Sequence, residues 1–128
     1  MTRPTTIEKR KVALGTFTVE LPRPPSINNA FATFNNRRIP SREYKAWKLE
    51  ASQMLMAQRA RCAIGPVELT ITVQEIPRYP SDIDNRIKAT IDCLVENGII
   101  DGDTAKTVRS VTAKWGPVVG AIVEVKPA

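Results

Sequence analysis

Acidic side chains lie in two short stretches of this sequence. Asp82 and Asp84 stand two residues apart within Ser81–Lys88, and Asp101 and Asp103 follow further along the chain. The chain has no histidine, so acid–base chemistry has to come from carboxylates, lysine or metal-bound water. Clustered carboxylates either raise the pKa of one member or bind a cation, and Mg²⁺ is commonly bound by one or two carboxylates with waters and phosphates.

The same residues also have a purely structural interpretation. A single Asp at the start of a helix usually caps it, and an Asp–Lys pair four residues apart is usually a weak surface ion pair. Capping needs only one carboxylate, however, and a second acid beside it adds repulsion. Both interpretations stay open on these residues alone.

A helix is predicted to position these acids, with Asp82 as its N-cap and Gly98 just past its C-terminal end. Asp84, Lys88 and Asp92 follow one another at intervals of four residues, so they form a ridge along one side. Apolar residues at helical spacing define a second face: Ile83, Ile87, Ile91, Leu94 and Val95. The helix therefore has one face for the core and one acid–lysine–acid ridge.

Length and composition restrict the class of protein. A chain of 128 residues makes one domain with a modest core, and its formal net charge of +6 favours a polyanionic partner, nucleic acid first. Cys62 and Cys93 are the only cysteines, and we expect free thiols in a cytoplasmic protein. Two cysteines and no histidine are too few ligands for an ordinary zinc site, which such a chain therefore does not have. No apolar run reaches the length of a membrane span.

The remaining pattern predicts an α+β domain: a mixed sheet of about four strands with two helices, in the order β-α-β-α-β-β. Residues 1–15 are predicted to be a flexible basic arm and residues 16–128 a single domain. Strands are expected at Phe17–Leu21, Val67–Val73, Thr107–Trp115 and Val118–Val125. Residues 31–38 are predicted to be a loop. The first helix is expected to be capped by Ser41 and to bury Tyr44, Trp47, Ala51, Met54 and Leu55.

Three stretches together resemble the RusA family of Holliday junction resolvases. They are Leu21-Pro22-Arg23-Pro24-Pro25-Ser26-Ile27-Asn28-Asn29, similar to the family's Pro-Pro-Ser-Asn-Asn opening, then Asp82-Ile83-Asp84-Asn85 with Lys88 and Asp92, and finally Gly98 followed by an acidic loop ending in Asp103. The resemblance covers roughly residues 17–125. It implies a RusA-like fold in a homodimeric, Mg²⁺-dependent endonuclease, with Mn²⁺ as an alternative ion. Such enzymes resolve four-way DNA junctions by paired symmetric nicks in recombination and repair.

The resemblance also implies roles for individual residues and a bacterial, phage or prophage origin. Asp82, Asp84 and Asp103 would be the catalytic, metal-binding carboxylates, and Lys88 the catalytic lysine. DNA contacts are expected from Arg37, Arg38, Arg42, Lys45, Arg78, Asn85 and Arg86. The sequence departs from the family pattern in two places: the loop before Asp82 has a single arginine, and the acidic loop reads Asp-Gly-Asp. The second departure makes Asp101 a rival to Asp103.

The reach of the chain limits this arrangement. A helix from Asp84 to Gly98 rises about 21 Å at roughly 1.5 Å per residue, and the five residues to Asp103 return at most about 17 Å. Asp103 therefore approaches Asp84 only if the chain doubles straight back, unless the partner subunit of a dimer supplies the acid. We favour the same subunit.

Two other functions fit the same residues. One is a non-catalytic module that binds structured DNA or RNA through the basic surface, and the other is a metal nuclease for flaps or forks. The acidic cluster argues against the first, because carboxylates directed at phosphates weaken the binding of a polyanion.

Overall fold

The computed structural model describes residues 10–26, 31–34, 37–78 and 81–128, and for residues 31–34 and 37–40 it describes the backbone alone. The elements in chain order are β1 (Phe17–Leu21), β2 (Phe31–Phe34), β3 (Arg37–Pro40), α1 (Arg42–Ala57), β4 (Val67–Gln74), α2 (Asp84–Glu96), β5 (Val108–Gly116) and β6 (Ala121–Pro127). The predicted α+β class and the order β-α-β-α-β-β are confirmed, with the β2–β3 pair inserted after the first strand.

The main sheet has the strand order β1-β6-β4-β5. Strands β4 and β5 are parallel, whereas β6 runs antiparallel to both β4 and β1. Because parallel neighbours need a crossover connection, α2 joins the end of β4 to the start of β5. Residues of both helices and of β1, β4 and β6 share one buried cluster. The acid-bearing helix is thereby fixed against the centre of the sheet.

Helix α1 begins and ends as local chemistry dictates. The Ser41 hydroxyl accepts the Tyr44 backbone N–H at 3.1 Å, which confirms the predicted cap. At the other end Arg59 adopts a left-handed φ of 51°, and the Ala60 N–H donates to the Leu55 carbonyl at 3.0 Å, as in a Schellman motif. Of the predicted apolar face, four residues are buried and Met54 is half-buried: Tyr44, Trp47, Ala51 and Leu55 are the buried ones.

A hairpin replaces the loop predicted for residues 31–38, so that prediction is wrong. Strands β2 and β3 pair antiparallel, with Phe31 opposite Pro40 and Phe34 opposite Arg37, and form a separate two-stranded sheet. The aromatic and β-branched residues of Phe31-Ala32-Thr33-Phe34 favour a strand. The predicted loop positions Asn28, Asn29, Asn35 and Asn36 and residues 1–9 of the predicted arm lie outside the described residues.

Helix α2 begins one residue later than predicted. Ile83 occupies the cap position in a helical conformation (φ −69°, ψ −35°) and makes no side-chain cap hydrogen bond. The prediction of Asp82 as N-cap is therefore wrong: the cap position belongs to Ile83, whose side chain has no oxygen that could accept an N–H of the first turn. Asp82 is exposed, and its carboxylate is not used by the helix.

The buried face of α2 also differs from the predicted one. Its buried residues are Ala89, Thr90, Cys93 and Leu94. Of the predicted apolar face only Leu94 is buried, whereas Ile83, Ile87, Ile91 and Val95 are half-buried. The fully buried positions of the helix are thus mostly small residues, and the larger isoleucines stand at the edge of the core.

The described part of the N-terminal segment is attached to both helix ends. Arg10 donates from Nε to the Asn97 carbonyl and from Nη1 to the Ala60 carbonyl, each at 3.0 Å. Cys62 and Cys93 are free thiols, as predicted. Within the described ranges, no helix has the length and apolar character needed to cross a membrane.

Candidate active site

An open depression beside α2 brings together acids from both sequence stretches. It has a volume of about 430 Å³ and is lined by Asp84, Ile87, Lys88, Ile91, Asp92 and Asp103. The predicted ridge of α2 supplies one wall, and the loop after the helix supplies Asp103. Asp84 and Asp103 thus reach the same depression within one chain.

The turn after α2 explains how Asp103 returns. Gly98 has a left-handed φ of 71°, and its N–H donates to the Val95 carbonyl at 3.1 Å, while the Ile99 N–H donates to the Leu94 carbonyl at 2.8 Å. These two bonds form a Schellman motif, which reverses the chain. Because the Ile99 side chain is fully buried, the reversed chain is held against the core.

The two acids of the loop have different surroundings. The Asp101 carboxylate accepts the Gly65 backbone N–H at 2.7 Å, whereas Asp103 lines the depression with Asp84. Asp101 is therefore occupied in fixing the turn before β4. This placement favours Asp103 over Asp101 as the acid that acts beside Asp84.

Lys88 is held by an acid of its own helix. Its Nζ lies 3.3 Å from Asp92 Oδ2, one helical turn further along. Asp92 is also close to α1: burial of the phenol, and after it the charge of Asp92, raises the pKa of Tyr44. The sequence pattern places Asp92 on the ridge without giving it a role. In the structure its ion pair with Lys88 favours a role in orienting the Lys88 ammonium.

Asp82 stands apart from the depression, as an exposed residue before α2. Across the described residues, no three acidic or sulfur side chains stand close enough to hold a metal ion together. Asp84 and Asp103 nevertheless offer hard oxygen donors at one open depression, and Mg²⁺ usually takes one or two carboxylates and completes its shell with waters and phosphates. The residues fit such an ion and do not form an all-protein cage.

The proline-rich loop after β1 is tied to both helices. Trp47 of α1 donates from Nε1 to the Pro22 carbonyl at 3.0 Å, and Arg86 of α2 donates from Nη1 to the Pro24 carbonyl at 2.7 Å. Arg86 also donates from Nη2 to the Ser81 hydroxyl at 3.3 Å. The loop is therefore fixed next to the start of α2 and to Asp82.

The sequence profile of the family described as "Endodeoxyribonuclease RusA" matches residues 22–126. The chain belongs to this family. It is therefore an endodeoxyribonuclease, a hydrolase that acts on DNA, and membership implies activity of the Holliday junction resolvase type. No curated protein matches the chain at a significant level. The matched region contains the proline-rich loop, α2 and the acidic loop, so the resemblance carried by these three stretches is confirmed.

The residues expected to contact DNA in this RusA family member have varied surroundings. Arg42 and Lys45 are exposed on α1, and Arg78 is exposed after β4. Arg37 and Arg38 belong to β3, and their side chains lie outside the described part of the chain. Asn85 and Arg86 are half-buried. Arg86 stands out because its contacts are with the protein itself, and the contact to DNA stays a prediction for all seven.

Proposed function

We propose that this RusA family member is a Mg²⁺-dependent endonuclease that resolves four-way DNA junctions by paired nicks. Its proposed catalytic residues are Asp82, Asp84, Asp103 and Lys88. The observation that carries the proposal is the common depression of Asp84, Lys88 and Asp103. In support, nucleases of this family generally depend on a divalent metal.

The chemistry divides among the side chains at the depression. Asp84 and Asp103 would hold Mg²⁺, or Mn²⁺ in its place, and a bound ion of this kind lowers the pKa of a water and polarises phosphoryl oxygens. Asp82 is the third proposed carboxylate. Lys88, exposed at the rim, would donate to a phosphate oxygen or stabilise the departing oxyanion. Asp92 would keep the Lys88 ammonium over the depression.

A symmetric homodimer is part of the same proposal. Resolution needs two strands cut at related positions, and a two-fold dimer places two identical sites against a symmetric substrate. Light scattering should report about twice the chain mass of 14.2 kDa. A monomer both free and saturated with junction DNA would contradict paired nicking. We place the enzyme in the cytoplasm of a bacterial or phage-infected cell, in keeping with a phage and bacterial family.

The decisive experiment compares a labelled four-way junction with a flap, a fork, a matched duplex and a single strand, with and without Mg²⁺. We expect symmetric nicks in the junction alone and only with the metal. Asp82→Asn and Asp84→Asn should bind the junction as tightly as the wild type or more so, because each removes a charge that repels phosphate, yet fail to cut it. Cutting by either variant at the wild-type rate would remove that residue from the site. Preference for the flap or fork would replace the proposed substrate.

A further inference from the structure

Two arginines stand together where the proline-rich loop meets α2. Arg86 donates to the Pro24 carbonyl at 2.7 Å and to the Ser81 hydroxyl at 3.3 Å. Arg23 directly precedes Pro24 in the sequence. The bond to Pro24 therefore holds the Arg86 guanidinium beside the backbone next to Arg23, and the bond to Ser81 places it one residue in sequence from Asp82.

The Arg23 guanidinium is fixed from two other directions. Its Nε donates to the carbonyl of Gln74, the last residue of β4, at 2.9 Å. Its central carbon lies 6.0 Å from the centre of the Trp115 ring, within the range of a cation–π contact. Arg23 is half-buried. A side chain held in this way has already lost much of its conformational freedom, so it loses little more when it binds a ligand.

Within the described part of the chain, no ion pair joins either arginine to a carboxylate. The ion pairs found among the described residues involve only Lys48 and Lys88. Arg86 Nε is buried and has no hydrogen-bond partner in that part of the chain. Burial, and after it the charge of Arg23, lowers the pKa of Arg86, although an arginine stays protonated at neutral pH. Two like charges held together favour the binding of an anion between or beside them.

The donors that remain suit a phosphate group. Arg23 uses only Nε within the described structure, so its two Nη atoms can form the paired hydrogen bonds that guanidinium groups make with phosphate. Arg86 has both Nη atoms engaged with the protein, so it contributes mainly a fixed charge. We propose that Arg23 and Arg86 form a binding site for a DNA backbone phosphate near the one that is cut. This inference rests on the proposed nuclease function, because the acids of the site define which phosphate is cut.

The first test measures the binding of a four-way junction, without metal, across a series of salt concentrations. Arg23→Gln should weaken binding about tenfold, as expected for loss of a charged hydrogen bond, and reduce the slope of log K against log salt by about 0.9. The matched control is Arg61→Gln, which removes the same charge from an exposed residue. Arg61 is next to Ala60, and Arg10 bonds both the Ala60 carbonyl and the Asn97 carbonyl at the C-terminal end of α2. That end of the helix is about 16 Å from Arg86 at roughly 1.5 Å per residue. This control should change affinity and slope far less.

The second test locates the phosphate without depending on the fold of any variant. Junctions carrying one neutral methylphosphonate at each position flanking the cut are bound to the wild-type protein. A methylphosphonate at one of these positions should weaken junction binding by the wild type about tenfold. The same methylphosphonate should not weaken binding by Arg23→Gln further, because that variant already lacks the contact between Arg23 and the phosphate. Arg23→Lys keeps the charge and should keep the salt slope while losing affinity, because lysine lacks the paired donors.

The outcomes separate this site from the proposed function. If the wild type cuts junctions while no flanking methylphosphonate matters and Arg23→Gln behaves like Arg61→Gln, the site is refuted and the nuclease stands. If Arg23→Gln and one neutral phosphate show the coupled loss but no junction is cut, the site stands and the proposed function fails. If the wild type binds no DNA, both are refuted.

Discussion

Asp92 lines the depression with Asp84 and Asp103 and forms an ion pair with Lys88. The substitution Asp92→Asn tests whether Asp92 orients Lys88 or binds the cation. The pair with Lys88 spans one helical turn at 3.3 Å, with the side chains 61% and 27% exposed. Such pairs contribute about 0.3–0.5 kcal/mol. Because about 1.4 kcal/mol corresponds to a tenfold change in rate, losing only the orientation of Lys88 should slow cleavage about twofold.

The assay is single-turnover cleavage of a labelled junction at saturating protein and Mg²⁺, with thermal unfolding measured alongside. The unfolding midpoint should fall by no more than about 3 °C for a loss of this size. Lys88→Gln provides the control, because the double variant should cut no more slowly than Lys88→Gln alone. A loss of a hundredfold or more in Asp92→Asn, with intact folding and junction binding, would refute this role and place Asp92 among the cation-binding carboxylates.

Three further predictions follow from the described contacts. Asp103→Asn should abolish cleavage in the junction assay. Asp101→Asn should keep most of the activity and lower the free energy of unfolding by about 0.5 kcal/mol, because the exposed bond to the Gly65 N–H loses its charge but keeps an accepting oxygen. The opposite ranking in activity would transfer the catalytic role to Asp101. Arg59→Gly should raise the free energy of unfolding in urea by about 1 kcal/mol, because glycine adopts the left-handed φ of 51° without strain, and an unchanged or lower value would contradict this. Burial raises the pKa of the Cys93 thiol from 9.0 to about 12, so above pH 9 the native state keeps a proton that the unfolded state releases. The free energy of unfolding should therefore be highest below about pH 9 and fall as the pH rises toward 12, by at most about 1.4 kcal/mol per pH unit. Urea unfolding between pH 8 and 11 should show a shallower decline for Cys93→Ala than for the wild type.

Local sequence patterns were sufficient for the elements that carry the site. Spacing by four residues placed Asp84, Lys88 and Asp92 on one ridge, and they do line one depression. Gly98 marked the end of the helix, where it has the expected positive φ. The estimate of chain reach required a sharp reversal before Asp103, and the Schellman motif provides it. These features depend on neighbours in the chain, which is why the sequence alone predicts them.

The features that the sequence did not predict depend on packing or on distant partners. Asp82 has the right residue type for a cap, but Ile83 occupies the cap position and no side chain caps the helix. The isoleucines have the spacing of a core face, yet the packing of α2 buries mostly smaller residues such as Ala89. The sequence does not indicate a special role for Arg23, because its partner Gln74 lies 51 residues away and no local spacing encodes such a contact.

The Schellman turn at Gly98 has a consequence for how this enzyme can change over time. By reversing the chain it lets residues of one short stretch, Asp84, Lys88 and Asp103, meet at one depression, whereas Arg23 is encoded far upstream. Genetic exchange with a relative can therefore transfer the proposed cutting residues as one block, without dividing them. Arg86 of the proposed phosphate site travels with that block, so exchange of the proline-rich loop would change Arg23 alone and leave the proposed cutting residues as they are.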